Sequence, residues 1–474
     1  MISQRSNQIK NLVSILIVII SCSFWFMPIP SGLTEQAWHL FIIFISTIVF
    51  LIFNPFPMGT VALVSILVCV LTKTLSLEQC LSLAFGNPIV WLVMFAFFLS
   101  NGFVKTGLGS RISYHLILRL GYSTLGLSYA LVLIDLILAP FIPSVTARGA
   151  GIIFPITKSI CQSYTDKDHT RESSRNGGFL MKVCFQSNVI TSSLFITAMA
   201  ANPLAVKLAA NIGVSISWIT WAKAAILPGI ICLIAMPLVL YYLHTPTIKY
   251  SDSAPKIAKA KLEEMGKISR SEIIMLIIFC VLVFLWILGD KVGLSATLVA
   301  LGGLCAAYLF RIISFDDTAS DKTAWSTFVW FGTLIMLSGF LTDFGLITWV
   351  KNKLDCCLSG FSPVITVIIL SLIYFYIHYL FASTTTHIAV LFPAFLTMFI
   401  SSHVPATLAA LSLSFLSILS SGLTQFGLSS APIFFSSGYI KTKAWWFLGF
   451  ILSLLYIMVF STIGIMWWKF LGLW

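Results

Sequence analysis

The sequence predicts an all-α polytopic membrane protein: about 11 transmembrane helices plus two re-entrant hairpins, arranged as an inverted repeat. Three observations predict it. Of 474 residues, 58% are hydrophobic and only 9% are charged, with mean hydropathy +1.00, whereas soluble domains carry about 25% charged residues. Apolar runs of spanning length alternate with short polar loops. Two stretches, 140–155 and 381–393, interrupt such runs and share the pattern Ser-x-Thr-x-cation followed by Phe-Pro. The net charge of +12 falls in loops and forms no patch, so it reads as topology-setting charge and excludes a nucleic-acid partner. The 10 Cys are scattered, and the adjacent pair Cys356-Cys357 argues against a disulfide framework; all read as packing residues.

Taken in order, a polar, basic leader (Met1–Lys10) runs into a first span near 11–29, too long for a signal peptide and read as an anchor. No transit peptide is visible, which favours a bacterial inner membrane over a plastid envelope. Spans follow near 34–53, 58–72 and 88–104. Residues 105–122, with Lys105, Arg111 and Arg119 among apolar residues, suit an amphipathic helix on the inner surface. Residues 124–160 are the first hairpin, re-entrant because the basic segment after it also belongs inside. A span from about 179 is interrupted at Ala201-Asn202-Pro203, and another covers 221–243.

The loop 244–271 is the one clear linker. Spans near 272–290, 294–312 and 325–342 follow, then a segment at 343–360 expected outside and a second hairpin at 361–400. A span from about 405 breaks near 425–435, and the last covers 445–470. The organisation is an N-terminal helix (1–33), a first repeat (34–243), the linker, and a second repeat (272–474). Local matches support the repeat. Leu99-Ser100 and Gly107-Leu108 match Leu337-Ser338 and Gly345-Leu346 at an offset of 238, and Ser144 and Pro155 match Ser383 and Pro393 at 239 and 238. The broken spans pair Ala201-Asn202-Pro203 with Ser430-Ala431-Pro432. Inverted repeats with interrupted helices are the architecture of secondary transporters, with the site at the repeat interface.

Ser144 and Thr146 suit the N-cap of a half-helix starting near Ala147. A half-helix N-terminus offers unpaired N–H groups and about half a positive charge. Two of them, from Ser144, Val145 and Thr146 and from Ser383, Thr384 and Thr385, would suit two carboxylates. Arg148 cannot shed its charge, so it faces a cavity or pairs with a partner, Asp135 being the nearby carboxylate. His387 stands at the equivalent position; His39, His115, His169, His244, His378 and His403 lack that support. Asn202-Pro203 and Ala431-Pro432 are expected to expose backbone into the same cavity. An empty site would then carry the Arg148 charge uncompensated, which makes coupled exchange the expected mode. No Walker A loop or His-Glu-x-x-His motif occurs, so ATP-driven transport and a zinc protease have no support, and no cofactor or metal is expected.

The stretches Pro143-Ser-Val-Thr-Ala-Arg-Gly149, Phe195-Ile-Thr-Ala-Met-Ala-Ala-Asn-Pro-Leu204, Phe381-Ala-Ser-Thr-Thr-Thr-His387 and Ala431-Pro-Ile-Phe-Phe-Ser-Ser-Gly-Tyr-Ile440 resemble the divalent anion:sodium symporter family, in its 2-oxoglutarate/malate translocator branch. The resemblance covers nearly the whole chain. It implies a homodimer in the lipid bilayer and elevator movement of a transport domain against a scaffold. It also implies dicarboxylate substrates such as 2-oxoglutarate, malate or succinate. The family's hairpin motif is usually Ser-Asn-Thr, with the Asn helping to hold sodium and substrate. Here Val145 and Thr384 stand at the central position, and Val145 supplies no side-chain ligand. In the family's sodium-independent exchangers, cationic side chains are thought to stand where sodium would, and Arg148 and His387 match that idea. A sodium-coupled symporter is the alternative within the class. An integral-membrane hydrolase using Ser144 or His387 is the alternative outside it, and it lacks a convincing Ser–His–acid set.

Overall fold

The computed structural model describes residues 2–53, 55–165, 170–346, 348–350, 352–353 and 362–474. Cys356, Cys357 and half of the 343–360 segment, including 354–360, lie outside the described residues. The described residues are predominantly helical; the one β pairing among them is an isolated bridge between Ser123 and Tyr250. Seven described helices are long and apolar enough to cross a membrane.

The first half contains α1 (Ile2–Trp25), α2 (Glu35–Phe53), α3 (Met58–Leu71), α4 (Leu77–Phe85), α5 (Pro88–Thr106) and α6 (Leu108–Leu120). The first hairpin is α7 (Thr124–Leu138), a turn, a π-helical segment (Ala147–Ile153) and α8 (Phe154–Thr165). It is followed by α9 (Thr170–Leu194), α10 (Ala201–Ala210) and α11 (Trp218–Leu243). The linker folds as α12 (Ser253–Met265). The second half contains α13 (Arg270–Val292), α14 (Ala296–Leu309), α15 (Phe315–Ala319) and α16 (Lys322–Asp343). The second hairpin pairs α17 (Pro363–Tyr376) with α18 (Thr384–Ser401), and α19 (Ala406–Ser420), α20 (Ala431–Ser436), α21 (Thr442–Val459) and α22 (Ile465–Phe470) close the chain. The break after α9 falls at 195–200, a few residues before Asn202-Pro203, because proline is tolerated in the first turn of the next helix.

Helix contacts sort the chain into two bodies. In one, α16 packs on α2, α3, α4 and α5, and α5 packs on α13 and α14. In the other, α9 packs against α7, α8, α11, α19 and α20, and both hairpins lean on this group. Close helix approach in the first body depends on Gly332, where an added Cβ would lie 2.7 Å from the Ala84 carbonyl oxygen. Backbone cannot yield as a side chain can, so Gly332→Ala is expected to destabilise by about 1–3 kcal/mol, read as a lower unfolding midpoint in detergent.

α6 joins the two bodies and carries the amphipathic pattern expected of it. Buried Arg111 reaches from α6 to Glu272 (2.6 Å) and to the carbonyls of Met265, Gly266 and Lys267, fastening α6 to the linker. Lys105 meets Asp317 at 2.5 Å. The Lys105 ammonium and the Ser314 cap lower the half-buried Asp317 carboxyl to about 2. That link is complete above the ordinary carboxylate range and is lost only as pH falls through about 2.

α9 is the polar spine of the second body. Lys182, Gln186, Asn188, Thr191, Ser192 and Ser193 are all fully buried. Gln186 donates to the Gly422 carbonyl and accepts from the Tyr456 hydroxyl. Lys182 donates to the Trp445 carbonyl (3.1 Å) and lies 4.2 Å from the centre of that indole. In a lipid-embedded core such groups persist only where partners satisfy them.

Candidate functional site

The two hairpin tips meet in one cavity of about 460 Å³, where residues 143–146 face residues 382–386. The cavity lies between the two bodies. Leu51, Met58, Phe97 and the face of α16 wall it on one side, and the tips with Met199, Ala200, Leu428 and Ser429 on the other.

Both tips are built alike. Ser144 Oγ accepts from the Ala147 N–H (3.1 Å), and the Arg148 N–H returns to the Ser144 carbonyl. Ser383 Oγ accepts from the Thr386 N–H (3.4 Å), and the His387 N–H returns to the Ser383 carbonyl. In each tip the cap serves the third N–H and the fourth closes the first helical bond. The first two, at Val145 and Thr146 and at Thr384 and Thr385, have no intrahelical acceptor. Ser144, Thr146, Ser383 and Thr385 are half-buried at the cavity wall, whereas Val145 and Thr384 are buried. Thr146 donates to Ser429 (2.8 Å), and Thr384 donates to the Gly427 carbonyl (3.3 Å). The structure brings these six residues together in the lining of one cavity.

Arg148 is not in the cavity. It is fully buried behind the first tip, and Nε donates to Asp135 at 2.6 Å. Nη1 donates to the carbonyls of Ile142 (2.8 Å) and Ala198 (3.0 Å), and Nη2 to Ser192 (2.8 Å) and Thr191 (3.4 Å). Every guanidinium N–H is used. The pairing with Asp135 is the arrangement adopted, so no charge here awaits a substrate, and coupled exchange cannot rest on an uncompensated Arg148. Gly149 permits this close packing, since a Cβ there would stand 3.1 Å from the Phe434 ring and 3.2 Å from Asn188 Oδ1.

His387 likewise sits behind its tip, fully buried, with Nε2 3.0 Å from the Tyr374 carbonyl. The structure brings it against His378, a residue given no role from sequence: the rings are 4.9 Å apart, and His378 Nε2 lies 3.2 Å from the Gly427 carbonyl. The two meet because the short 3-10 turn Ile377–Leu380 folds the end of α17 over the start of α18.

The broken spans also differ from expectation. Asn202 is buried and its amide donates to the carbonyls of Ser192 (2.7 Å) and Phe195 (2.8 Å), closing the break from within. Pro203 lines a separate cavity of about 260 Å³ bounded by Trp218 and Trp286. Ala431 is buried and Pro432 exposed at the start of α20, and neither lines the cavity between the tips. Met199, Ala200, Leu428 and Ser429 take that place, because helix geometry resumes before the prolines and turns them aside. Two further residues had no role from sequence. Asn188 donates to Asp135 (3.3 Å) and accepts from Ser430 (2.8 Å), tying the first hairpin to the second break. Its signal is the polar run Gln186-Ser187-Asn188 and Thr191-Ser192-Ser193 inside an apolar span. Lys322 lines the cavity from α16.

A family profile described as the sodium:sulfate symporter transmembrane region matches residues 8–474. A Bacillus subtilis (strain 168) protein named "Putative malate transporter YflS" is 46% identical over 471 residues, covering 99% of this chain and 98% of the relative. An Arabidopsis thaliana protein named "Dicarboxylate transporter 1, chloroplastic" is 44% identical over 453 residues, covering 95% of this chain and 81% of the relative. The inner membrane protein YbhI of Escherichia coli (strain K12) is 37% identical, covering 97% and 98%. Among solved structures, the Alcanivorax borkumensis YdaH transporter superposes with a TM-score of 0.57 at 12% identity, over 85% of this chain and 89% of that one, a likeness of fold. With a profile match from residue 8 to the end and relatives of this identity along the whole chain, this multi-pass membrane protein belongs to the divalent anion:sodium symporter family.

Proposed function

We propose that the protein is a secondary transporter, without catalytic activity or cofactor, that exchanges dicarboxylates of the malate and 2-oxoglutarate type across a bacterial inner membrane and does not require sodium. The observation that carries this reading is the meeting of two capped half-helix N-termini in one cavity of about 460 Å³. Each N-terminus seats an anion, so the pair suits an acid with two carboxylates. The relatives named for malate and dicarboxylates support that occupant. Ser144, Val145 and Thr146 bind one carboxylate through N–H and hydroxyl groups, and Ser383, Thr384 and Thr385 bind the other. Arg148 and His387 brace these tips from behind, whereas Asn202, Pro203, Ala431 and Pro432 shape the two breaks beside them.

The repeats 34–243 and 272–474 are related by inversion, each contributing one hairpin. The body holding both tips moves as an elevator against the body of α2–α5, α13, α14 and α16, in a homodimer. Sodium independence is supported by the surroundings of Arg148. Its guanidinium lies among one carboxylate, two carbonyl and two hydroxyl oxygens, the ligand chemistry a hard cation takes. A permanent cation already fills that cage. His387 holds the equivalent place behind the second tip.

The test is counterflow in proteoliposomes loaded with malate, following uptake of labelled 2-oxoglutarate in sodium and in choline. Equal uptake in the two salts is expected. Strict sodium dependence would make the chain a sodium-coupled symporter, and uptake driven by sulfate but not by malate would overturn the substrate class.

A further inference from the structure

Lys322 is the one charged side chain among the residues that line the cavity. It opens α16, is exposed, and makes no ion pair among the described residues. The adjacent carboxylate is held elsewhere: Asp321 Oδ1 accepts the N–H groups of Thr323 and Ala324, and Oδ2 accepts from Asn101 at 3.0 Å. One face of α16 continues the wall through Thr323, Ser326, Thr327 and Trp330. With Arg148 saturated by Asp135 and by backbone, a dianion in this cavity has a single cationic side chain available to it. That side chain belongs to the body opposite the tips.

We propose that Lys322 adds a charge-assisted contact, across the mouth of the cavity, to a dicarboxylate held by the two tips and makes substrate affinity unequal on the two faces of the membrane. This rests on the dicarboxylate reading above. The tips carry their N–H groups with them, so their contacts persist whichever way the cavity opens. The Lys322 contact, made across the gap between the two bodies, exists only in an arrangement that brings the tips beside the start of α16, as here. An ammonium at that mouth raises affinity on that face and leaves the other face unaffected.

The experiment measures half-saturating malate separately on each face, in proteoliposomes of neutral lipid with known insertion, for the wild type, Lys322→Gln and Lys322→Arg. Lys322→Gln is expected to raise the half-saturating concentration about tenfold, as for a lost charge-assisted contact, on the face where α16 begins. The other face should be unchanged, and Lys322→Arg should restore most of the affinity. No change on either face, or an equal rise on both, overturns the proposal, as does an effect that appears only when anionic lipid is present. Folding is checked by the unfolding midpoint, and a midpoint lowered in Lys322→Gln alone makes the Arg variant the deciding one: in that variant, equal affinities on the two faces overturn the proposal. Wild-type vesicles that fail to exchange malate at all count against the function itself, whereas loss of the asymmetry in active vesicles counts against Lys322 alone.

Discussion

Arg148→Gln is expected to destabilise the protein by about 3–5 kcal/mol, the usual cost of breaking a buried ion pair from one side. The variant leaves Asp135 charged, fully buried, and supported only by Thr191 (2.8 Å) and the longer Asn188 contacts. It also strips the carbonyls of Ile142 and Ala198 of their shared donor, so the turn of the first hairpin loses its tie to the break after α9. Asp135→Asn should be harmful too, since it strands a guanidinium that cannot deprotonate. The double variant should be less unstable than the two losses added together, because it leaves no unpaired charge. Unfolding midpoints in detergent, arranged as a double-mutant cycle, decide the matter. An Arg148→Gln midpoint equal to the wild type, or strictly additive losses, would mean that the pair does not hold the hairpin. If Arg148 met substrate instead, the single variant would remain stable and lose affinity only.

Whether a feature is legible in the sequence depends on the range of the interaction behind it. Spanning helices are visible because a stretch of apolar residues long enough to cross a bilayer has few other uses. The caps at Ser144 and Ser383 are visible because capping is settled within three residues. The facing of Arg148 is not, because Asp135 and Arg148 lie on opposite limbs of a hairpin whose turn geometry no periodicity describes. The π-helical segment Ala147–Ile153 adds a residue per turn, so an α-helical projection misplaces the residues beyond it. Asn202 and Pro203 point to the cavity on sequence grounds because proline marks an interruption. Yet proline is acceptable in a first helical turn, and the open backbone lies just before it. Lys322 reads as topology-setting charge at the start of a span, and only the packing of α16 beside the hairpin tips gives it a second setting. His378 and His387 are brought together by a single 3-10 turn, which leaves no mark in hydropathy.

Succinate and malate are expected to compete for uptake about 10- to 150-fold better than butyrate or lactate. That range corresponds to one charge-assisted contact of about 1.5–3 kcal/mol lost with the second carboxylate. The reasoning is geometric. The two tips present equivalent pairs of free N–H groups, at Val145 and Thr146 and at Thr384 and Thr385, and each pair lies at the positive end of a helix. A monocarboxylate fills one pair and leaves the other desolvated without a partner. The half-buried hydroxyls of Thr146 and Thr385 are not equivalent, however. Thr146 already donates to Ser429 at 2.8 Å, whereas Thr385 faces the cavity. Thr385→Val, which keeps the shape and removes the hydroxyl, should therefore weaken malate binding more than Thr146→Val, by roughly tenfold or more for one hydrogen bond to a charged group of about 1.5–3 kcal/mol. It should also narrow the gap between succinate and butyrate, because it acts on only one of the two carboxylates. The measurement is inhibition of labelled 2-oxoglutarate counterflow by each acid, in the wild type and both variants. Equal inhibition by butyrate and succinate would remove the two-carboxylate site. A Thr385→Val variant that weakens butyrate and succinate alike would place the second carboxylate elsewhere in the cavity.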